Sequence, residues 1–182
     1  MAKLISKTYG DALFELAVED GKVDVFMEEI SGLLEVLRSE AEFTKLMNHP
    51  KIPKEEKVQV AKNVFSGRIS EEIVGFLTLI IQKDRYGEAE AILEYFLNQV
   101  KEYKGIGVAY VKTAVALTEI QKKQVEERLL QTTKYRQMEM HFSEDKALIG
   151  GMVIRIGDRV VDSSISTKLE ELQKQLMKIQ LG

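Results

Sequence analysis

Apolar residues recur at three- and four-residue intervals through residues 1–104, and at two-residue intervals over several later stretches. The first spacing lines up side chains on one face of a helix, the second on one face of a strand. Ile5, Tyr9, Ala12, Leu13 and Leu16 make the first helical stripe; Val23, Phe26, Met27, Ile30, Leu33, Leu34 and Leu37 make a cleaner second one. A short helix over residues 41–47 should stop before Asn48-His49-Pro50. Pro53 opens the next helix, since its missing N–H is no loss in a first turn. Val58, Ala61, Val64 and Phe65 supply that helix's apolar face, and Ser66-Gly67 ends it. Ser70 is the expected cap of a fifth helix, with Glu71 and Glu72 at the positive end of its dipole. A sixth carries Ala89, Ile92, Leu93, Phe96, Val100 and Tyr103 and stops at Lys104-Gly105. Six helices with short connections predict a bundle over residues 1–104.

The pattern changes at Gly105-Ile106-Gly107. Residues 108–116 are β-branched and aromatic enough for a strand. Thr118-Glu119-Ile120-Gln121 is a capping box that starts a helix running to about Thr133. Met138, Met140 and Phe142 alternate with polar residues, as do Met152, Ile154 and Ile156. Gly157-Asp158 is a two-residue hairpin turn with glycine first, and Val160-Val161 is the return strand. Ile165, Leu169, Leu172, Leu176 and Ile179 mark a final helix at 4-3-4-3 spacing. The fold class is therefore an α-helical bundle followed by a small α/β domain over residues 105–182, in the order β-α-β-β-β-α. The final helix should lay its stripe on its own sheet; pairing with a partner helix is the other reading.

Two features ask for more than a core. Ile73, Val74, Phe76, Leu77, Leu79, Ile80 and Ile81 cover nearly the whole circumference of the fifth helix, so it must be surrounded. Phe14 and Val18 lie about 100–140° from Leu13 on the first helix. Either the two helices fill the bundle, or they frame a groove for an amphipathic helix of another protein.

Chemistry is sparse. The chain has no cysteine, so disulfides, thiolate nucleophiles and cysteine-bound metals are excluded. His49 and His141 fall in different domains without partners at ligand spacing, and read as a loop and a strand-face residue. Gly105-x-Gly107 and Gly150-Gly151 both precede strands and match no phosphate loop. Ser163, Ser164 and Ser166 sit where a helix cap belongs. No catalytic, cofactor-binding or metal-ligating residue is predicted. The longest uncharged apolar stretch, residues 73–81, is far short of the roughly 20 a spanning helix needs. The N-terminus carries no apolar cleavable leader pattern. The formal net charge is −3, unevenly spread: residues 1–104 hold 14 Lys/Arg and 19 Asp/Glu, the remainder 12 and 10. A mildly basic second domain raises nucleic-acid binding as an alternative. However, Lys112, Lys122, Lys123, Arg128, Lys134 and Arg136 are mixed with acids, and no row of aromatics offers base stacking.

The run Gly150-Gly151-Met-Val-Ile-Arg155-Ile-Gly157-Asp158-Arg-Val-Val-Asp162-Ser-Ser164, followed by Leu169 and Leu172, resembles the C-terminal motif of the delta subunit of F-type ATP synthases. That family includes the mitochondrial oligomycin-sensitivity-conferring protein. Tyr9-Gly-Asp-Ala12-Leu13-Phe14-Glu-Leu16-Ala17 resembles its first helix. Pro50-x-Ile52-Pro53-x-x-x-Lys57, and Phe76-Leu77-x-Leu79 followed by Arg85, also match, so the likeness spans essentially the whole chain in order. Thr8, Gly10 and Gly75 depart from it. The resemblance implies a non-catalytic stator subunit with no cofactor. It implies that the helical domain holds N-terminal helices of the alpha subunits, with Tyr9, Leu13, Phe14, Val18, Ile73, Val74, Leu77 and Ile81 as candidate contacts. It implies that the second domain holds C-terminal ends of the b subunits. Membrane association is then indirect, through the complex, at the cytoplasmic face of a bacterial membrane.

Overall fold

Helix α1 covers Ala2–Glu19, α2 Val23–Ser39, α3 Ala41–Asn48, α4 Lys54–Phe65, α5 Glu71–Gln82 and α6 Ala89–Tyr103. A 3-10 turn, Tyr86–Glu88, leads into α6. The computed structural model describes the backbone of residues 2–180 and the side chains of residues 4–173. Its contacts divide into two units, one reaching Val100 and one starting at Lys101. That division precedes the change of pattern at Gly105, because Lys101 binds Glu139 at 2.6 Å and Glu102 pairs with Lys134 and Tyr135.

The first unit is built around α5. Ile73, Leu77 and Ile80 are sealed in with Leu13, Ala17, Phe26, Ile30, Ile92, Leu93, Phe96 and Val100. Each such large side chain contributes about 1.5–3 kcal/mol of apolar burial, which is why the helix with the least polar circumference takes the centre. Phe43 stands edge-on to both Phe65 (5.7 Å) and Tyr86 (6.3 Å), fixing the short α3 against α4 and the 3-10 turn. The start of α5 departs from expectation. Ser70 makes no side-chain cap; its own N–H donates to Glu29 of α2 at 2.9 Å, while Glu72 pairs with Lys22. The helix start is thus tied to a neighbouring helix rather than capped locally.

In the second unit, strand β1 is Ile106–Thr113, α7 Glu119–Thr132, β2 Gln137–Glu144, β3 Met152–Ile156, β4 Arg159–Asp162 and α8 Ile165–Gln180. The element order matches the sequence reading. β1 begins and ends earlier than the strand read over residues 108–116, and just past its end the Thr113 hydroxyl donates to the Val115 carbonyl at 2.7 Å. The capping box at Thr118 and Gln121 is formed. The sheet order is β2-β1-β3-β4: β1 pairs parallel with β2 and antiparallel with β3, and β3 pairs antiparallel with β4. A right-handed crossover is the rule for such a parallel pair, and α7 makes it, lying on the face that carries Ala109 and Val111.

Candidate docking surfaces

Of the eight residues proposed for the first surface, five lie inside the bundle. Leu13 (1% exposed), Ile73, Val74, Leu77 and Ile81 all belong to the buried core and offer no free surface. Tyr9 and Phe14 are half-buried, and Val18 is exposed. Tyr9 does face α5: its ring meets Phe76 edge-on at 6.4 Å. Phe14 lies about 140° round the helix from Tyr9. It falls toward the flank where Asp11 accepts hydrogen bonds from Tyr95 and Gln99 of α6, both at 3.0 Å. The α1–α5 seam therefore presents a different set: Tyr9 and Leu16, half-buried, with exposed Ala12 from α1, and exposed Gly75 and Leu79 from α5. A Cβ added at Gly75 would meet nothing within 4 Å, so the helix surface there is open. Leu79 was legible as part of the all-apolar circumference; which sector stays outside was not.

The family motif residues form a clasp. Gly151 adopts φ +77, and a Cβ there would lie 2.4 Å from the Ser163 carbonyl oxygen, so only glycine serves. The Ser163 N–H and hydroxyl both donate to the Met152 carbonyl at 2.9 Å, and the Ile165 N–H donates to that of Gly150 at 2.9 Å. Asp162 closes the clasp. It accepts the Ser164 N–H at 2.8 Å and the Thr167 hydroxyl at 2.7 Å, while Ser164 Oγ accepts the Thr167 N–H. These bonds, the backbone one foremost, hold the Asp162 carboxyl below the usual aspartate range. Gly157 has φ +56 while Asp158 has no positive φ, the arrangement of a glycine-first hairpin turn.

Arg155 works on the sheet face away from α7. Its guanidinium lies 5.0 Å from the Tyr110 ring, and His141 stacks on the same ring at 4.9 Å. Since β3 and β2 flank β1 on opposite sides, Arg155 and His141 approach the Tyr110 ring from its two sides. His141 also contacts Glu139 at 2.9 Å, and Glu139 reaches Lys101. Burial raises the Glu139 carboxyl, but its bonds to Lys101 and His141 outweigh it and hold the group low. His49 is exposed in the α3–α4 turn, where a ring nitrogen accepts the Lys51 N–H at 3.3 Å.

The clasp launches α8 with its stripe uncovered. Leu169 is 51% and Leu172 54% exposed, and Ile165 is exposed as well. The expected packing on the sheet is therefore not made by these residues; Leu176 and Ile179 lie outside the described side chains. Beside α7, the sheet face that carries Ala109 and Val111 has a further apolar surface. Ile154, Ile156 and Val161 of β3–β4 and Leu129 of α7 line an open groove of about 800 Å³. It continues into a smaller one, about 410 Å³, along Leu117, Val125 and Met152. Arg128, Lys134 and Arg159 stand among the lining residues. This groove was not foreseen: α7 covers β1 and β2 because it connects them, and pattern alone does not say that β3–β4 is left bare.

Among the described residues no three His, Cys, Asp or Glu converge on a metal site, and no helix is long and apolar enough to cross a membrane. Residues 5–176 match the family model of the ATP synthase delta (OSCP) subunit. The ATP synthase subunit delta of Lachnoclostridium phytofermentans is 53% identical over the full length of both chains. That of Natranaerobius thermophilus is 35% identical over 96% of this chain and 97% of its own. That of Clostridium acetobutylicum is 32% identical over 98% and 99%. The fold is also that of a chain in the cryo-EM structure of the Toxoplasma gondii mitochondrial ATP synthase hexamer (TM-score 0.79, 18% identity, covering 94% of this chain and 97% of that one). By its clasp motif, its order of elements and its match from end to end, the chain belongs to the ATP synthase delta (OSCP) subunit family.

Proposed function

We infer that this chain is a non-catalytic subunit of the peripheral stalk of an F-type ATP synthase, joining the catalytic head to the b subunits so that the rotor turns against a fixed body. Family membership supports the assignment to the complex. The observation that carries the mechanical reading is the uncovered apolar surface of the second unit: the α7–β3–β4 groove and the α8 stripe. Monomeric proteins rarely leave contiguous apolar surface of this kind open. A torque-bearing joint needs apolar interfaces that stay shut under load, and stable ones bury about 1,200–2,000 Å² in total.

The groove's occupant is the C-terminal helix of a b subunit. Its apolar stripe would lie on Ile154, Ile156 and Val161, and acids on its flanks would meet Arg128 and Arg159. The α1–α5 seam takes an N-terminal helix of an alpha subunit, laid over Tyr9, Ala12, Gly75 and Leu79. Helix-in-groove docking of this kind rests on apolar anchors repeated every three to four residues. The test is calorimetric titration of the full chain with each partner helix as a synthetic peptide. Binding with a negative heat-capacity change, lost to Val161→Asp for the b peptide and to Leu79→Asp for the alpha peptide, is the expected result. Unaltered binding by the folded variants would remove the proposed surfaces.

A further inference from the structure

We propose that the pocket where α3 ends and α4 begins is an oxyanion site with Lys57 at its centre. The pocket holds about 480 Å³ and is lined by Asn48, Pro53, Lys54, Lys57, Asp84 and Tyr86, among others. Lys57 is 7% exposed, the most enclosed cation among the described residues. It forms no ion pair or side-chain hydrogen bond with them. Its ammonium is not sealed off either: the one fully enclosed, unpartnered side-chain polar atom among the described residues is the Tyr86 hydroxyl. The lysine stem is thus packed into the bundle and its charged head opens toward the pocket.

Several donors stand around it. Lys54 is held at the rim, its ammonium donating to the Gln82 carbonyl at 3.2 Å. Pro53 gives α4 no side-chain cap, so the N–H groups of its first turn have no side-chain acceptor there. The positive end of the α4 dipole points the same way. Asn48 adds an amide. Asp84 is the one acid in the lining; it is exposed and lies beyond ion-pair distance of Lys57. The Lys57 stem is held by the bundle while its head faces the pocket without a counter-charge among the described residues. A ligand carrying acceptors only, a phosphate or a carboxylate, completes the set. Nothing in the stator reading requires this site.

The test uses the full chain, titrated with inorganic phosphate and separately with acetate, against chloride at equal ionic strength, following the backbone amide resonances of Lys54, Glu55 and Glu56. Saturable shifts confined to this pocket are expected, weakened by about tenfold or more in Lys57→Met and unchanged in Lys51→Met. Saturation by phosphate alone marks a free tetrahedral anion as the ligand. Saturation by acetate as well extends the site to an acidic side chain of a polypeptide. Linear, non-saturating shifts with both anions, or the same saturation in Lys57→Met, would overturn the proposal. Should Lys57→Met fail to fold, Lys57→Gln takes its place, and the wild-type titration still decides between saturable and linear response.

Discussion

Gly10 and Gly75 both occupy helix interiors, where alanine is the better helix former by about 0.5–1 kcal/mol, yet their surroundings are opposite. A Cβ at Gly10 would lie 2.4 Å from the Tyr95 ring, whereas one at Gly75 would touch nothing. Gly10→Ala should therefore destabilise by about 1–2 kcal/mol in chemical denaturation. It displaces Tyr95 from its hydrogen bond with Asp11. In a Tyr95→Ala background the same change should become stabilising, a sign reversal that a double-mutant cycle reads directly. Gly75→Ala should stabilise the free chain by about 0.5–1 kcal/mol and weaken the alpha-helix peptide, because the proposed seat loses its low point. No local pattern reveals Gly10's role, since its partner Tyr95 is 85 residues away. Asp162 is a case with a pH signature. Its folded pKa is held below the ordinary value, so its stabilising bonds are whole above about pH 4 and are lost as the pH falls through the folded pKa. Asp162→Asn should lower the melting temperature at pH 7 and flatten the loss of stability on acidification.

At the scale of elements, helices and strands were legible because their periods are local, whereas the faces they bury were only partly so. The all-apolar α5 was read as surrounded, and it is central; that Leu79 and Gly75 stay outside depends on where α1 and α4 lie. The spacing of Ile165, Leu169 and Leu172 gives α8 one apolar side, but what it faces is set by the clasp of Gly151, Ser163 and Asp162 at its start. Pattern gives a helix's apolar side and says nothing of the direction in which the preceding turn aims it. Leu172→Asp should leave the fold and melting temperature nearly unchanged, since that side chain is 54% exposed. A Leu172→Asp variant that melts much lower would instead mean that the stripe packs within the chain. Gly151→Ala should be the harsher change, about 2 kcal/mol or more, since it combines a positive φ with a backbone clash.

For the molecule as a whole, the two units show two kinds of surface: a half-buried seam on the helical bundle and an open groove with arginines among its lining on the α/β unit. Binding at the first should change little between low and high salt, because its contacts are apolar. Binding at the second should weaken moderately as salt screens Arg128 and Arg159. Calorimetry of each peptide at two ionic strengths separates them. A steep salt dependence at both would point to charge rather than packing as the joint's main adhesive. The stator reading needed the resemblance; the residues by themselves gave two domains, no catalytic groups and surplus apolar surface.

The strand order has a consequence for biosynthesis. β1 is made first yet lies between β2 and β3, so neither of its edges is covered until Gln137 and then Met152 have followed it. Bare strand edges invite pairing between chains, and translation at about 5–20 residues per second leaves this one open for seconds. The helical bundle, complete by Val100, can settle meanwhile. The unit most exposed to misassembly on the ribosome is thus the one that later carries the apolar groove.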